Sequence, residues 1–206
     1  MRPYHHSKAS VSRYGGQWQD YLEIHSLIDS SKTGCSNLKH RMILHNVDLT
    51  AELFKNKFGS NFSNILADHI NEDIGKPVSL QDWLRFCDKR HMPKLQNLIS
   101  KDDFIEKEIQ RSKVNAPDHI SQVYDLITLP MKYAGVYGDI SLSILGNSFG
   151  IELVDKIMGG PTEFETKIFD PGWCAESLVY TFFKGIPDIR SSTLGLNLDD
   201  FHGFVV

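Results

Sequence analysis

The chain has 206 residues, of which 41% are hydrophobic, and its 22 lysines and arginines against 26 aspartates and glutamates give a formal net charge of −4. This apolar fraction is large enough to form a packed core, which excludes a disordered chain. The negative charge and the lack of any basic run longer than two residues argue against nucleic acid as a partner.

The expected compartment follows from features that the sequence lacks. No apolar run approaches the roughly 20 residues needed to cross a bilayer, and the first residues contain no apolar segment of a signal peptide. The cysteines, Cys35, Cys87 and Cys174, are far apart and odd in number, which argues against a disulfide framework or a thiolate zinc site. We therefore expect a cytoplasmic protein that does not bind a membrane.

Charge and histidine content divide the chain into two parts. Residues 1–93 contain 12 basic and 10 acidic side chains, whereas residues 94–206 contain 10 basic and 16 acidic ones. Seven of the nine histidines lie in the first part. We predict a helical, histidine-rich domain over residues 1–93 and an acidic α+β part over residues 94–206, either separate or packed on the first as one unit.

Apolar residues recur at helical spacing in four segments of the first part. Asp20 is a suitable N-cap for the first segment, Gly59 ends the second and longest, and Ser79 with Asp82 forms a capping box at the start of the fourth. The predicted helices cover residues 20–32, 37–58 and 64–74, and the fourth runs from 79 towards Pro93.

The second part is less regular. Helices are predicted over residues 101–113, from Pro117 to a kink or end at Pro130, over 139–158, and from Asp170 onward. Alternating apolar and polar residues over 162–168 predict a strand, and residues 192–198 predict a second short one. The predicted fold is mainly α, with an N-terminal helical bundle and an α+β C-terminal part that carries a small sheet or hairpin.

Two histidine–carboxylate pairs stand at helical spacing. His25 with Asp29, and His69 with Asp73, are each four residues apart and so lie on one stripe of a helix. The second pair falls inside the apolar stripe of its predicted helix. Because an unpaired buried carboxylate is costly, Asp73 should meet a cation, hydrogen-bond donors or a metal ion.

Two further histidines lie on the long predicted helix. His40 is aligned with the apolar side chains, and His45 points about 140° away from it. A mixed set of nitrogen and oxygen donors suits Zn, Mn or Fe, and two ions are possible where carboxylates bridge. The candidate metal ligands are His25, Asp29, His40, His45, His69 and Asp73, and among them His69 and Asp73 are the candidate catalytic residues.

A simpler interpretation remains open for each histidine. A single histidine on an apolar face is usually a core residue whose ring N–H donates to a carbonyl or carboxylate. We expect His5, His6 and His91 at the surface. Lys32 and Arg41 flank a predicted turn and are candidates for binding substrate phosphate oxygens, although solvated surface charge is the alternative.

The N-terminal pattern resembles a family of small bacterial and phage proteins classed only as a domain of unknown function. The pattern consists of Pro3-Tyr4, His6, Ser10, Gly15-Gly16, Asp20-Tyr21-Leu22, Ile24-His25, Asp29, Ser31-Lys32, His40-Arg41, His45, His69, Glu72-Asp73, Gly75 and Asp82-Trp83-Leu84. The likeness covers about residues 1–90, and the family has no assigned reaction. The resemblance implies that six residues form one recurrent set: His6, His25, Asp29, His40, His45 and His69.

A looser resemblance is to the HD-type metal phosphohydrolases, in which metal-bound hydroxide attacks a phosphoester. Histidines and aspartates spread over successive helices carry this likeness. The adjacent His-Asp doublet of those enzymes is absent, and the chain has Asp68-His69 and Asp118-His119 in the reversed order.

Two functional hypotheses follow. The first is a divalent-metal-dependent hydrolase that acts on a phosphoester or nucleotide-like small molecule. The second is a non-catalytic binding protein, a phage-type or host-interaction module, that sequesters a phosphorylated ligand or a partner protein. A structural role without metal is a third possibility. Elemental analysis of the purified protein separates the first hypothesis from the third.

Overall fold

Helices dominate the architecture in the computed structural model, which describes residues 1–164, 166–193 and 195–197. A two-stranded antiparallel sheet is the only sheet among these residues. The predicted fold class, mainly α with a small hairpin in the C-terminal part, is therefore confirmed. No helix in the described part of the chain is long and apolar enough to cross a membrane.

The chain forms two units, which we call the N-terminal unit and the C-terminal unit. The N-terminal unit comprises Met1–Asp88 and the described residues from Gly195 onward, and the C-terminal unit comprises the described residues of 89–193. The chain returns to the first unit at its end, where Leu196 forms an antiparallel bridge with Cys87. Residues 192–198 were expected to form a strand, but α12 (Ile189–Thr193) occupies the start of that range. Leu194 and Leu198 lie outside the described residues.

The N-terminal unit is built from short helices. They are α1 (Pro3–Tyr14), α2 (Trp18–Ile28), α3 (Arg41–Leu44), α4 (Leu49–Phe58), α5 (Phe62–Ile74) and α6 (Leu80–Arg85). Two 3₁₀ turns, Ser30–Thr33 and Leu38–His40, connect α2 to α3. The capping box predicted at Ser79 and Asp82 is present at the start of α6.

Helix α1 has no counterpart among the sequence-based predictions. Pro3 occupies its first turn, and Gly15 ends it with a φ of 78°, a value that favours glycine. Its buried residues are His6, Ser7 and Ser10, so its inward face is polar and gives no hydrophobic period. The expectation that His6 lies at the surface is wrong, because its side chain is fully buried, whereas His5 is exposed as expected.

The prediction of one continuous helix over residues 37–58 is also wrong. The chain leaves the helical conformation at His45, and α4 begins only at Leu49. The buried Asn46 side chain explains the break, because it donates to the carbonyls of Met42 and Ile43 and accepts from the Thr50 amide at 3.0 Å. The side chain thus replaces backbone hydrogen bonds that a continuous helix would make.

The C-terminal unit contains two 3₁₀ turns, Lys89–His91 and Gly135–Tyr137, and the remaining α-helices and strands. These helices and strands are α7 (Lys101–Ser112), α8 (Pro117–Tyr133), α9 (Gly138–Leu145), α10 (Ser148–Met158), β1 (Thr162–Phe164), β2 (Lys167–Phe169), α11 (Pro171–Phe183) and α12. Helices α8 and α11 supply fully buried side chains to its core, among them Val123, Ile127, Leu178 and Phe182. Pro130 lies inside α8, which continues for three residues beyond it.

Two predicted elements of this unit differ in detail. The helix predicted over 139–158 is divided at Gly146 and Asn147, and the Asn147 side chain caps α10 by accepting from the Gly150 amide. The strand predicted over 162–168 is a hairpin of β1 and β2, with Thr162 opposite Phe169 and Phe164 opposite Lys167. A turn within the alternating segment accounts for this difference. Glu165 lies outside the described residues.

A candidate metal centre

Four buried side chains of the N-terminal unit converge on one point. Asp29 follows directly on the last residue of α2, His45 ends α3, and His69 and Asp73 lie one turn apart on α5. Each offers one oxygen or nitrogen atom, and these four atoms all lie within 4.8 Å of one another. The three segments reach this point because α2 and α5 pack together and the break after α3 turns the chain at His45.

The spacing of the four atoms is narrow. His45 Nε2 lies 3.3 Å from His69 Nε2, 3.4 Å from Asp73 Oδ2 and 3.5 Å from Asp29 Oδ1. His69 Nε2 lies 3.7 Å from Asp29 Oδ1 and 3.9 Å from Asp73 Oδ2. The two imidazoles and the Asp73 side chain are inaccessible to solvent, and the Asp29 side chain is 4% exposed.

The oxygens that face this point lack ordinary hydrogen bonds. Within the described residues, neither Oδ1 nor Oδ2 of Asp29, nor Oδ2 of Asp73, accepts a hydrogen bond of standard geometry. Each carboxylate instead forms an ion pair, Asp29 Oδ1 with Lys32 Nζ at 2.5 Å and Asp73 Oδ2 with Arg41 Nη2 at 3.1 Å. Buried carboxylate oxygens are normally saturated with donors, so this set retains capacity to bind a cation.

The protonation states of His69, Asp29 and Asp73 suit metal ligation. Burial lowers the pKa of His69 to about 3, so its imidazole is neutral at pH 7. Burial alone would raise the pKa of Asp29, but contacts with His45, His69 and Lys32 outweigh it and hold that pKa below the usual range. Burial likewise opposes ionisation of Asp73, but contacts with His45 and His6 outweigh it and lower the pKa. Metal ions bind these deprotonated forms.

A chain of hydrogen bonds supports His69 from behind. Its Nδ1 lies 2.8 Å from Nδ1 of His25, and Nε2 of His25 lies 2.9 Å from Oγ of Ser10. If Nε2 of His69 binds an ion, its proton must be on Nδ1 and is donated to His25, whose own proton is then on Nε2 and is donated to Ser10. Such outer hydrogen bonds fix the tautomer and orientation of a ligating imidazole. His25, a predicted ligand, therefore lies behind the four-residue set and not within it.

Helix α1 supplies a second layer around the centre. The His6 ring stacks on the His69 ring with 3.9 Å between centroids, and its Nδ1 lies 2.6 Å from Oε2 of Glu72. Arg13 pairs with the other oxygen of Glu72. Sequence periodicity missed His6, whereas the family resemblance had included it in the recurrent set.

The remaining predicted residues lie at the edge of the centre. Lys32 and Arg41, the candidate phosphate-binding residues, contact Asp29 and Asp73, with 35% and 11% of their side chains exposed. Arg41 also donates from Nη1 to the Asp73 carbonyl oxygen at 2.9 Å. His40 lies outside the four-residue set, and its Nδ1 donates to the Asn37 carbonyl oxygen at 2.6 Å.

The fold and the site define a helical domain with a buried histidine–aspartate centre. The family that this domain matches is described as a domain of unknown function (DUF6915), and the match covers residues 1–92, which include all four residues of the centre. The resemblance to a family of unknown function is thus confirmed for this part of the chain. No curated protein and no solved structure matches the chain, and these comparisons do not support a likeness to HD-type phosphohydrolases.

Proposed function

We propose that the N-terminal unit is a metal-binding domain that holds one divalent transition-metal ion between Asp29, His45, His69 and Asp73. One observation carries this proposal: buried carboxylate oxygens without standard hydrogen bonds face two buried imidazole nitrogens across a gap of ionic size.

The distances agree with tetrahedral coordination. Four ligands that are each about 2.0–2.1 Å from a central ion lie about 3.3–3.4 Å from one another. Five of the six distances between the four atoms run from 3.3 to 3.9 Å, so these pairs need shifts of only a few tenths of an ångström, and all four atoms lie within 4.8 Å of one another. The donors are two imidazoles and two carboxylates, which suit Zn, Mn or Fe.

Elemental analysis of the untagged full-length chain tests the proposal. We expect about one equivalent of Zn, Mn or Fe after gentle purification, and the same equivalent after the protein is stripped by a chelator and reloaded. His45→Ala should reduce the bound metal below a tenth of an equivalent, whereas His5→Ala, at an exposed position on α1, should leave it unchanged. A wild-type protein that neither contains nor takes up metal would overturn the proposal.

Metal-dependent phosphoester hydrolysis is the second candidate function. The donor set favours it, because it contains no thiolate, and structural zinc sites use thiolates in most cases. Four protein ligands fill a tetrahedral site, so hydrolysis would require the ion to take a fifth ligand, a water whose pKa it would lower to supply a nucleophile near neutral pH. Lys32 and Arg41 would then orient the phosphate oxygens, while His69 and Asp73 would hold the ion.

An assay panel distinguishes this activity from simple binding. We expect the Mn- or Zn-loaded protein to hydrolyse at least one phosphodiester or nucleotide, and His69→Ala and Asp73→Ala to abolish the hydrolysis. Recovery of an intact phosphorylated ligand or a partner protein with the loaded but inactive protein would favour the alternative, a non-catalytic binding protein. Loaded protein without activity would eliminate the hydrolase and leave the metal site intact.

A further inference from the structure

Beside the candidate metal centre lies a second group of unsatisfied polar atoms. In the part of the chain that the structure describes, Nε2 of His40 and Nε of Arg41 are buried and have no hydrogen-bond partner. The His40 residue is only 2% exposed. The His40 ring meets the His45 ring edge-on with 5.5 Å between centroids, and His45 Nε2 lies within 3.5 Å of the two carboxylate oxygens that pair with Lys32 and Arg41. Buried polar atoms without partners are uncommon and often mark a position for a ligand or water.

We propose that Lys32, His40 and Arg41 form a binding site for a phosphate group, filled when the metal centre is loaded. The inference rests on the proposed function, because the metal ion is what makes the two cations available. Lys32 Nζ and Arg41 Nη2 now contact Asp29 Oδ1 and Asp73 Oδ2, the same oxygens that would coordinate the ion. An oxygen bound to a divalent ion is a poorer partner for an ammonium or guanidinium group, and the ion repels both.

The charges at the metal-loaded centre favour the binding of an anion. A loaded centre contains a divalent ion, Lys32, Arg41 and the Met1 ammonium, which pairs with Asp73 Oδ1 at 2.5 Å, against the two carboxylates, which leaves an excess of three positive charges. Such an excess is unfavourable unless an anion joins it. A phosphate dianion would supply two negative charges and accept hydrogen bonds from both cationic side chains.

His40 selects among oxyanions. Its Nδ1 donates to the Asn37 carbonyl oxygen, which can only accept, so in the neutral ring Nε2 carries a lone pair and accepts. An acceptor at this place favours an anion that brings its own proton. Hydrogen phosphate has one, whereas sulfate has none at this pH, so the site should prefer phosphate.

Binding of metal and phosphate is therefore coupled. A ligand that binds the metal-loaded form more tightly must raise metal affinity by the same factor. Equilibrium dialysis with radiolabelled inorganic phosphate measures this coupling in full-length protein. We expect the metal-loaded protein to bind phosphate at least tenfold more tightly than the stripped protein, and sulfate to compete poorly.

Matched variants separate this inference from the proposed function. Lys32→Gln should lower phosphate affinity at least tenfold while the protein retains one metal equivalent, and Lys57→Gln, at an exposed position on α4, should change neither. His40→Gln should bring sulfate and phosphate affinities together, since an amide can donate. Metal-loaded protein that binds no phosphate, or binds it equally with and without metal, would overturn the inference and leave the metal site standing. Failure to bind metal would overturn the proposed function itself.

Discussion

The orientation of one ring, His69, connects most of the residues in the candidate centre. Its Nε2 faces the other three residues of the set, its Nδ1 lies within hydrogen-bond distance of His25 Nδ1, and its ring stacks on the His6 ring. Each contact restricts a different degree of freedom, so the ring is held in one orientation without a bound ion. Preorganisation of this kind raises the affinity for a ligand, because a side chain that is already fixed loses little conformational entropy when the ligand binds.

The Ser10 hydroxyl at the end of this chain gives a residue-scale prediction. Ser10→Ala removes the partner of His25 and should weaken metal binding about 10- to 100-fold while one equivalent still binds at saturation. Competition with a chromophoric chelator measures the change. Ser12→Ala on the same helix is the control, because its exposed hydroxyl donates to the Lys8 carbonyl of its own helix. Equal affinities of wild type and Ser10→Ala would contradict the role assigned to this hydrogen bond.

Residue types and spacing predicted part of this site. The spacing of His69 and Asp73 placed both inside an apolar stripe, and both side chains are buried as that pattern indicated. His6 could not be found in this way, since its helix buries a polar face that has no hydrophobic period. His25 lies behind the centre and Asp29 lies within it. The directions of the two side chains decide this, and the spacing of the residues in the sequence does not define those directions.

At the scale of the element, the break between α3 and α4 has the largest effect on the centre. A continuous helix would hold His40 and His45 about 140° apart. In the structure, His45 ends α3 with φ −100° and ψ 57°, and its carbonyl accepts from the Trp83 ring nitrogen at 2.7 Å. Apolar residues keep their helical spacing across the break, so the sequence pattern predicted one continuous helix. The hydrogen bonds of the Asn46 side chain divide it into α3 and α4.

Asn46 is the residue that tests this account of the break. Asn46→Ala leaves the carbonyls of Met42 and Ile43 and the Thr50 amide without their partner, and should lower the free energy of unfolding by about 1–3 kcal/mol. Metal affinity should fall as well, because His45 is next in the chain. Urea denaturation and chelator competition measure the two effects. Asn56→Ala, exposed on α4, should change neither, and an equally stable Asn46→Ala protein would contradict the explanation.

At the scale of the whole molecule, the buried histidines couple folding to pH. Burial lowers the pKa of His25 and of His40 to about 4 and that of His69 to about 3, whereas in the unfolded chain each titrates near its ordinary value of 6.5. Between pH 6.5 and 4 the unfolded chain therefore binds more protons than the native protein. The free energy of unfolding rises with pH wherever this holds.

We therefore expect metal-stripped protein to lose stability as the pH falls from 7.0 to 5.0. Urea denaturation at the two values measures the change, and His40→Gln should reduce the pH dependence because it removes one of the three groups. His5→Ala, at an exposed position, should retain the full dependence. A free energy of unfolding that is constant or higher at pH 5.0 would contradict the assigned burial of these imidazoles.

Ligation by two imidazoles and two carboxylates is the central claim, and X-ray absorption at the metal edge of zinc-loaded protein tests it most directly. We predict four nitrogen or oxygen neighbours at about 2.0–2.1 Å, with the outer-shell scattering of two imidazole rings and no sulfur. Six oxygen neighbours without imidazole scattering, or a sulfur neighbour at about 2.3 Å, would contradict the account.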